Sequence, residues 1–213
     1  MSRTVVIAVD GTAASGKGTL ARRMAKELGY AYLDSGLLYR SVALSLLDSG
    51  ENPSDTKAAV RAALKLDPDT TDFLNPMLRD EETGQAAGIV AAKSEVRDVL
   101  IGIQRRFADN PPNGVPGVVI DGRDIGTVIC PSADYKIFVD ADIDVRARRR
   151  VKELQDRGVE GIPARVLQDM KERDHRDRTR AVAPLAPAAE ASVINTTNLN
   201  AEAAFALAMS FIR

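Results

Sequence analysis

The sequence predicts an α/β fold with a parallel sheet and helices on its faces, on three observations. Residues 1 to 34 read as strand, glycine-rich loop, helix and strand. A further helix follows at once, giving two strand-helix units in the first 50 residues. Later apolar runs, Gly117 to Ile120, Tyr135 to Val139 and Ser192 to Asn195, are separated by helix-length segments. Strands that alternate with helices in this way pair in parallel through helical crossovers, and ligands then bind at the carboxyl ends of the strands.

Val5, Val6, Ile7 and Val9 mark residues 1 to 9 as the first strand. The nine residues that follow are Gly11, Thr12, Ala13, Ala14, Ser15, Gly16, Lys17, Gly18 and Thr19. Two glycines bracket four residues and a lysine comes next. This is the spacing of a P-loop, in which small residues let backbone N–H groups turn inward around a phosphate. The helix that opens at Lys17 adds the positive end of its dipole. The generic pattern has Ser or Thr directly after the lysine, whereas Gly18 stands there in this chain and Thr19 comes one place later.

Residues 17 to 28 carry Leu20, Met24, Ala25 and Leu28 at helical spacing, and Gly29 ends that helix. Ala31 to Asp34 is a short second strand, after which Asp34 or Ser35 caps a helix with Leu38, Val42 and Leu46 on its buried stripe. From Gly50 to Pro76 the pattern weakens around one helix, Asp55 to Leu66, and reads as an inserted substrate-side subdomain. Two more helices are expected over 80 to 92 and 95 to 108, then a surface loop rich in Pro, Asn and Gly. Gly117 to Ile120 fits a strand buried on both faces. It delivers Asp121 in the run Asp-Gly-Arg-Asp-Ile-Gly, where a carboxylate can hold hydrated Mg²⁺ beside the P-loop. Tyr135 to Val139 is the next strand. Residues 146 to 180 then hold ten Arg and two Lys against seven acids and split into two helices near Gly158 to Pro163. In a P-loop protein such a basic hairpin reads as a lid over phosphates. A strand, Ser192 to Asn195, and a helix, about 200 to 212, close the chain.

The 213 residues carry a net charge of -1, with 45% hydrophobic residues, so neither a nucleic-acid protein nor a membrane protein is indicated. No apolar run approaches 18 residues and no signal peptide is visible, and the expectation is a cytoplasmic enzyme. Cys130 is the sole cysteine, which excludes an internal disulfide and a Cys/His metal site. The 21 Arg outnumber the 8 Lys, a skew that favours forked recognition of phosphate and carboxylate.

The sole histidine, His175, lies in a charged helix and reads as a surface residue, not a base. An acceptor that is itself a phosphate monoester needs no base, because its oxygen is already ionised at neutral pH. It needs cancellation of repulsion between two polyanions, which Arg, Lys and Mg²⁺ supply. Arg173, Asp177 and Arg180 share one helix face, with Asp177 placed to accept from a ribose hydroxyl or to orient an Arg. Arg40 and Arg123 both follow strand ends and suit an acceptor phosphate. Two other readings stay open here: a kinase acting on a hydroxyl group, with Asp34 as general base, and a nucleotide-dependent switch whose basic hairpin meets a macromolecule.

Four blocks carry a resemblance along nearly the whole chain: the P-loop, Leu33-Asp-Ser-Gly-Leu-Leu-Tyr-Arg40, Asp121-Gly-Arg-Asp-Ile-Gly-Thr-Val128 and the run from Glu172 to Leu185. In order and spacing they resemble bacterial cytidylate kinase, within the nucleoside monophosphate kinases. The resemblance implies transfer of the ATP γ-phosphoryl group to CMP or dCMP with Mg²⁺, by a monomer. It implies a single P-loop kinase domain over 1–213, with an NMP-binding region over 35–108 and a lid over 146–180. By the same resemblance Gly11 to Thr19 bind ATP, and Lys17, Arg123 and Asp121 are catalytic. Ser35, Arg40 and Arg123 hold the acceptor phosphate, Arg173 and Asp177 the sugar, and Arg97 and Arg180 the cytosine. Thr19 and Asp121 attend the metal, through water. One departure is Gly88, where the family commonly has a base-contacting Ser.

Overall fold

The computed structural model describes residues 3 to 212. They form two compact units: the chain up to Leu33 together with Pro111 onward, and Asp34–Asn110. The first unit is built on five strands, β1 Val5–Gly11, β2 Ala31–Asp34, β3 Gly117–Gly122, β4 Tyr135–Asp140 and β5 Ser192–Asn195. Their order across the sheet is β2-β3-β1-β4-β5. β1 runs parallel to β3, with Val9 opposite Asp121, and parallel to β4, with Gly11 opposite Val139. β4 in turn runs parallel to β5.

All six residues of β3 are buried, as the unbroken apolar run requires of a strand covered on both faces. Ile7, Val9, Val119, Ile137, Val139 and Ile194 form the sheet side of one core. Leu20 and Met24 of α1 (Lys17–Leu28) pack on it, as does Ala208, which lies near the end of the chain's last helix, Ala201–Ser210. Helix α1 ends at Gly29, whose φ of 65° is the left-handed conformation that suits glycine.

The second unit is helical: α2 Ser35–Asp48, α3 Thr56–Lys65, α4 Glu81–Val90 and α5 Ser94–Asp109. Leu38, Val42, Leu46, Ala59, Val90, Val96 and Leu100 make its core. Asp34 caps α2 by accepting from the Gly36 N–H at 3.1 Å, and Asp55 caps α3 by accepting from Lys57 and Ala58. Back in the first unit, α6 Ile143–Asp156 and α7 Pro163–Thr179 form a hairpin, and α8 is the last helix.

The expected elements are present, with boundaries moved by tertiary contacts. Strand β1 runs two residues past its expected end, because Gly11 lies against β4: a Cβ there would stand 2.0 Å from the Val139 carbonyl oxygen. Residues 1 and 2 of the expected first strand lie outside the described residues. A π-type turn at Ile125–Ile129 and a 3-10 turn at Pro76–Arg79 have no counterpart in the apolar periodicity. No helix among the described residues is long and apolar enough to cross a membrane.

Gly11→Ala should therefore force β1 and β4 apart at the edge of the loop. A loss of about 3 kcal/mol or more is expected in urea unfolding, at the upper end of the range for overpacking. A loss below about 1 kcal/mol would show that the two backbones are not in tight contact.

Candidate active site

The loop between β1 and α1 is folded by its own small residues and by β4. Thr12 donates its N–H to the Val139 carbonyl at 3.2 Å and its hydroxyl to Asp140 Oδ1 at 2.6 Å. The buried Ser15 hydroxyl donates to the Thr12 carbonyl at 2.9 Å. Ala14 and Gly16 have φ of 57° and 91°, so the chain twice enters the left-handed region. Gly16 is the N-cap of α1 and offers no side-chain cap, which leaves the helix start accessible to an anion.

Beside this loop, at the carboxyl end of β3, Asp121 is 1% exposed. Lys17 Nζ stands 4.0 Å from its Oδ1, and the Tyr32 hydroxyl donates to its Oδ2 at 3.1 Å. The glycine after the lysine has a steric reason. A Cβ on Gly18 would lie 2.9 Å from Asp121 Oδ2, so the Ser or Thr of the generic pattern would drive into the carboxylate. Thr19 is exposed on the first turn of α1. Asp121 and Thr19 are hard oxygen donors, and among the described residues no three His, Cys, Asp or Glu side chains gather as a metal cage. The Asp121 carboxylate beside the P-loop is the donor type that suits Mg²⁺, an ion that keeps several waters and relies on substrate phosphates for the rest of its shell.

Asp10, the residue before the P-loop, was given no role by the sequence. Its two carboxylate oxygens accept the N–H groups of Ile125 and Gly126, each at 2.8 Å, and so bolt the loop after β3 to the end of β1. Burial pushes its pKa up from 3.8 to about 6; the two N–H donors and Lys17 pull it back, while Asp124 pushes it further up.

The same loop meets the end of α7 through two acid-base pairs. Arg123 Nε donates to Asp177 Oδ2 at 3.0 Å, and Arg180 Nη2 lies 3.5 Å from Asp124 Oδ1. Arg180 Nε also donates to the Ala183 carbonyl. Burial acts to raise the pKa of Asp177, but Arg123, Arg173 and Arg180 outweigh it and hold the carboxyl below its ordinary value. Lys17 with Asp121, Arg123 with Asp177 and Arg180 with Asp124 thus form three pairs within one unit. Asp124 is a buried acceptor that the sequence left without a role. Its signal was present: an acid in the loop after a strand buried on both faces, next to Arg123.

Ser35, Arg40 and Arg97 belong to the second unit. Ser35 is buried in the first turn of α2. Arg40 donates to the carbonyls of Leu78 at 2.7 Å and Asp80 at 3.3 Å. A Cβ on Gly84 of α4 would stand 2.9 Å from Arg40 Nη2, so a larger residue there would make this guanidinium shift. Arg97 is 2% exposed, with the Tyr39 ring 5.9 Å away. Gly88 lies inside α4 with a helical backbone. His175 is exposed, and Cys130 is buried as a free thiol.

A groove of about 640 Å³ opens at the carboxyl ends of β4 and β5, lined by Asp140, Asp142, Asn195, Thr197, Asn198 and Leu199 among others. It adjoins the P-loop through the bond between Thr12 and Asp140.

A P-loop at the carboxyl edge of a parallel sheet, with a lysine, a buried carboxylate and paired arginines around it, defines the class of P-loop phosphotransferases. The fold is shared with solved structures: an uncharacterized protein from Eubacterium ventriosum superposes with a TM-score of 0.57 at 13% identity, covering 98% of both chains. A Thermus thermophilus protein reaches 0.51 at 16% identity, covering 98% of this chain and 96% of its own. Within that class the chain belongs to the cytidylate kinase family, whose model matches residues 7–213. It is 53% identical to a cytidylate kinase of Paramagnetospirillum magneticum over 98% of each chain. It is 51% identical to one of Rhodospirillum rubrum over 98% of this chain and 97% of that one.

The raised pKa of Asp10 has a consequence for stability. The folded protein binds this proton more tightly than the unfolded chain does. The contribution is therefore fully present below the ordinary carboxyl pKa and is lost as pH rises through about 6. A shift of this size corresponds to about 3 kcal/mol. Measured by urea unfolding, the wild type should lose up to that amount relative to Asp10→Asn between pH 4 and pH 7. A difference independent of pH would mean that burial does not perturb Asp10.

Proposed function

We propose that this protein transfers the γ-phosphoryl group of ATP to CMP or dCMP, producing ADP and CDP or dCDP. The observation that carries the reading is the family match over residues 7–213, in a chain whose P-loop lysine stands 4.0 Å from a buried carboxylate. In this reading Gly11 to Thr19 hold the donor phosphates through backbone N–H groups, and Lys17 follows the charge of the group in transfer. The polar groove beyond β4 and β5 takes the donor's base and ribose. Asp121 and Thr19 would hold Mg²⁺, which would supply neutralisation of phosphate charge.

On the acceptor side Ser35, Arg40 and Arg123 hold the phosphate of CMP. Its oxygen is ionised at neutral pH, so the step needs orientation and charge cancellation rather than a base. A hydroxyl acceptor would need one, and Asp34, the candidate, is engaged as the N-cap of α2. Asp177, kept ionised by its three arginines, accepts from the ribose, and Arg173 donates to that sugar. Arg97 and Arg180 donate to the cytosine. Asp124 supplies the acceptor that the exocyclic amino group of cytosine calls for, since it already lies 3.5 Å from Arg180. The basic hairpin over 146 to 180 serves as the lid on a single kinase domain, and the enzyme works as a cytoplasmic monomer without nucleic-acid or membrane partners.

Coupled ADP release across a panel of nucleoside monophosphates tests the assignment. CMP and dCMP should be used best, and AMP and GMP poorly; turnover with none of them would overturn it. Gly88→Ser restores a hydroxyl that the helical backbone at that place tolerates, and should raise the CMP to UMP ratio of kcat/KM by about fivefold, roughly 1 kcal/mol. An unchanged ratio in an active variant would mean that position 88 does not read the base.

A further inference from the structure

A loop that binds phosphate through N–H groups must turn its carbonyl groups the other way, and those carbonyls need donors of their own. In this chain the Thr12 carbonyl takes the Ser15 hydroxyl and the Gly16 carbonyl the Leu20 N–H, while the Ala13 and Ser15 carbonyls take the first arginines of the basic hairpin. Arg146 is 3% exposed. Its guanidinium reaches three elements: Nε donates to the Ala141 carbonyl at 2.8 Å, Nη2 to Asp174 Oδ2 of α7 at 2.6 Å, and Nη1 to the Ala13 carbonyl of the P-loop at 3.3 Å. Asp140 Oδ1 lies 3.8 Å from Nε and adds a second negative charge. One turn on, Arg149 donates to the Thr196 hydroxyl at 3.0 Å, to the Thr196 carbonyl at 2.7 Å and to the Ser15 carbonyl at 3.4 Å. The Thr196 hydroxyl donates to that same Ser15 carbonyl at 2.8 Å.

Packing reinforces these bonds. Ala13 and Ala14 lie against a cluster of Ala147, Leu154, Val166 and Met170, so the P-loop methyl groups are part of the hairpin's own core. Ala14 has a left-handed backbone, which alanine avoids unless its surroundings over-determine it. Hydrogen bonds to the carbonyls on either side of Ala14, and apolar contact at its methyl, provide that determination.

We propose that the root of the α6–α7 hairpin is the bracket that shapes the P-loop, with Arg146 and Arg149 as positioning residues for the donor phosphates. They hold the Ala13 and Ser15 carbonyls outward and thereby aim the intervening N–H groups inward, and their charges are spent on protein groups. The root is accordingly fixed, and any closing motion of the hairpin pivots beyond Arg149. This rests on the P-loop reading of residues 11 to 19 and adds to it what sets the loop's shape.

The test is hydrogen exchange of the P-loop amides in the ligand-free protein, together with steady-state kinetics, for Arg149→Met and Arg146→Lys. The lysine keeps one charge but cannot reach three acceptors on different sides. Both variants should exchange residues 12 to 17 at least tenfold faster than wild type before any nucleotide is added. Both should raise KM for ATP about tenfold while KM for CMP stays within twofold. Should Arg146→Lys fail to fold, the half-buried Arg149 carries the test alone. Wild-type exchange at residues 12 to 17 in ligand-free Arg149→Met, with weakened ATP binding, would overturn the proposal, because it would make the arginine a direct phosphate ligand. If ATP gave no protection to those amides in the wild type, the P-loop reading itself would fall.

Discussion

Every peptide unit that points its N–H at a phosphate points its C=O away, and the active end of this protein is organised by that constraint. The loop and α1 meet part of it themselves: the Ser15 hydroxyl donates to the Thr12 carbonyl and the Leu20 N–H to the Gly16 carbonyl, while Thr12 is tied to β4 by its own N–H and hydroxyl. The remaining carbonyls fall to Arg146, Arg149 and Thr196. In the proposed reading, phosphate recognition by backbone draws on side chains from α6 and from the segment after β5.

The loop after β3 is held on two sides. Asp10 anchors it to the end of β1, at the cost of burying a carboxylate whose proton is bound unusually tightly. On the other side it presents Arg123 and Asp124 to Asp177 and Arg180 of the α7 end. These pairs balance charge among four ionisable groups. In the proposed reaction the same groups exchange part of that pairing for the phosphate, sugar and base of CMP. Pairing of this kind limits the desolvation cost of keeping arginines ready in a half-buried site.

The elements were legible because hydrophobic spacing and turn residues are local signals. Glycine bracketing revealed the P-loop, Gly29 marked the end of α1, and the unbroken apolar run over Gly117 to Ile120 marked a strand buried on both faces. The π-type turn at Ile125–Ile129 was not legible, since it exists to bring two N–H groups to Asp10, 115 and 116 residues earlier in the chain. The close neighbours of Gly18 and Gly84 were hidden in the same way, one being Asp121 and the other Arg40. Residue types told which chemistry was available, and Arg123, Asp177 and Arg180, singled out on that basis, lie together in the structure. Their division into pairs depends on contacts across 54 and 56 residues of sequence, which no spacing rule encodes.

The central claim is that the ordered P-loop and its lysine pass a phosphoryl group directly from ATP to a phosphate monoester acceptor. It is tested most directly by following label from ATP carrying a radioactive γ-phosphate, with CMP present, in the wild type and in Lys17→Met. In the wild type the label should appear in CDP and not in inorganic phosphate. The variant, lacking one preorganised cation, should transfer it several hundredfold more slowly while remaining folded, a loss of about 3 to 4 kcal/mol. Label released as inorganic phosphate irrespective of CMP, or transfer in the variant within threefold of wild type, would contradict the account.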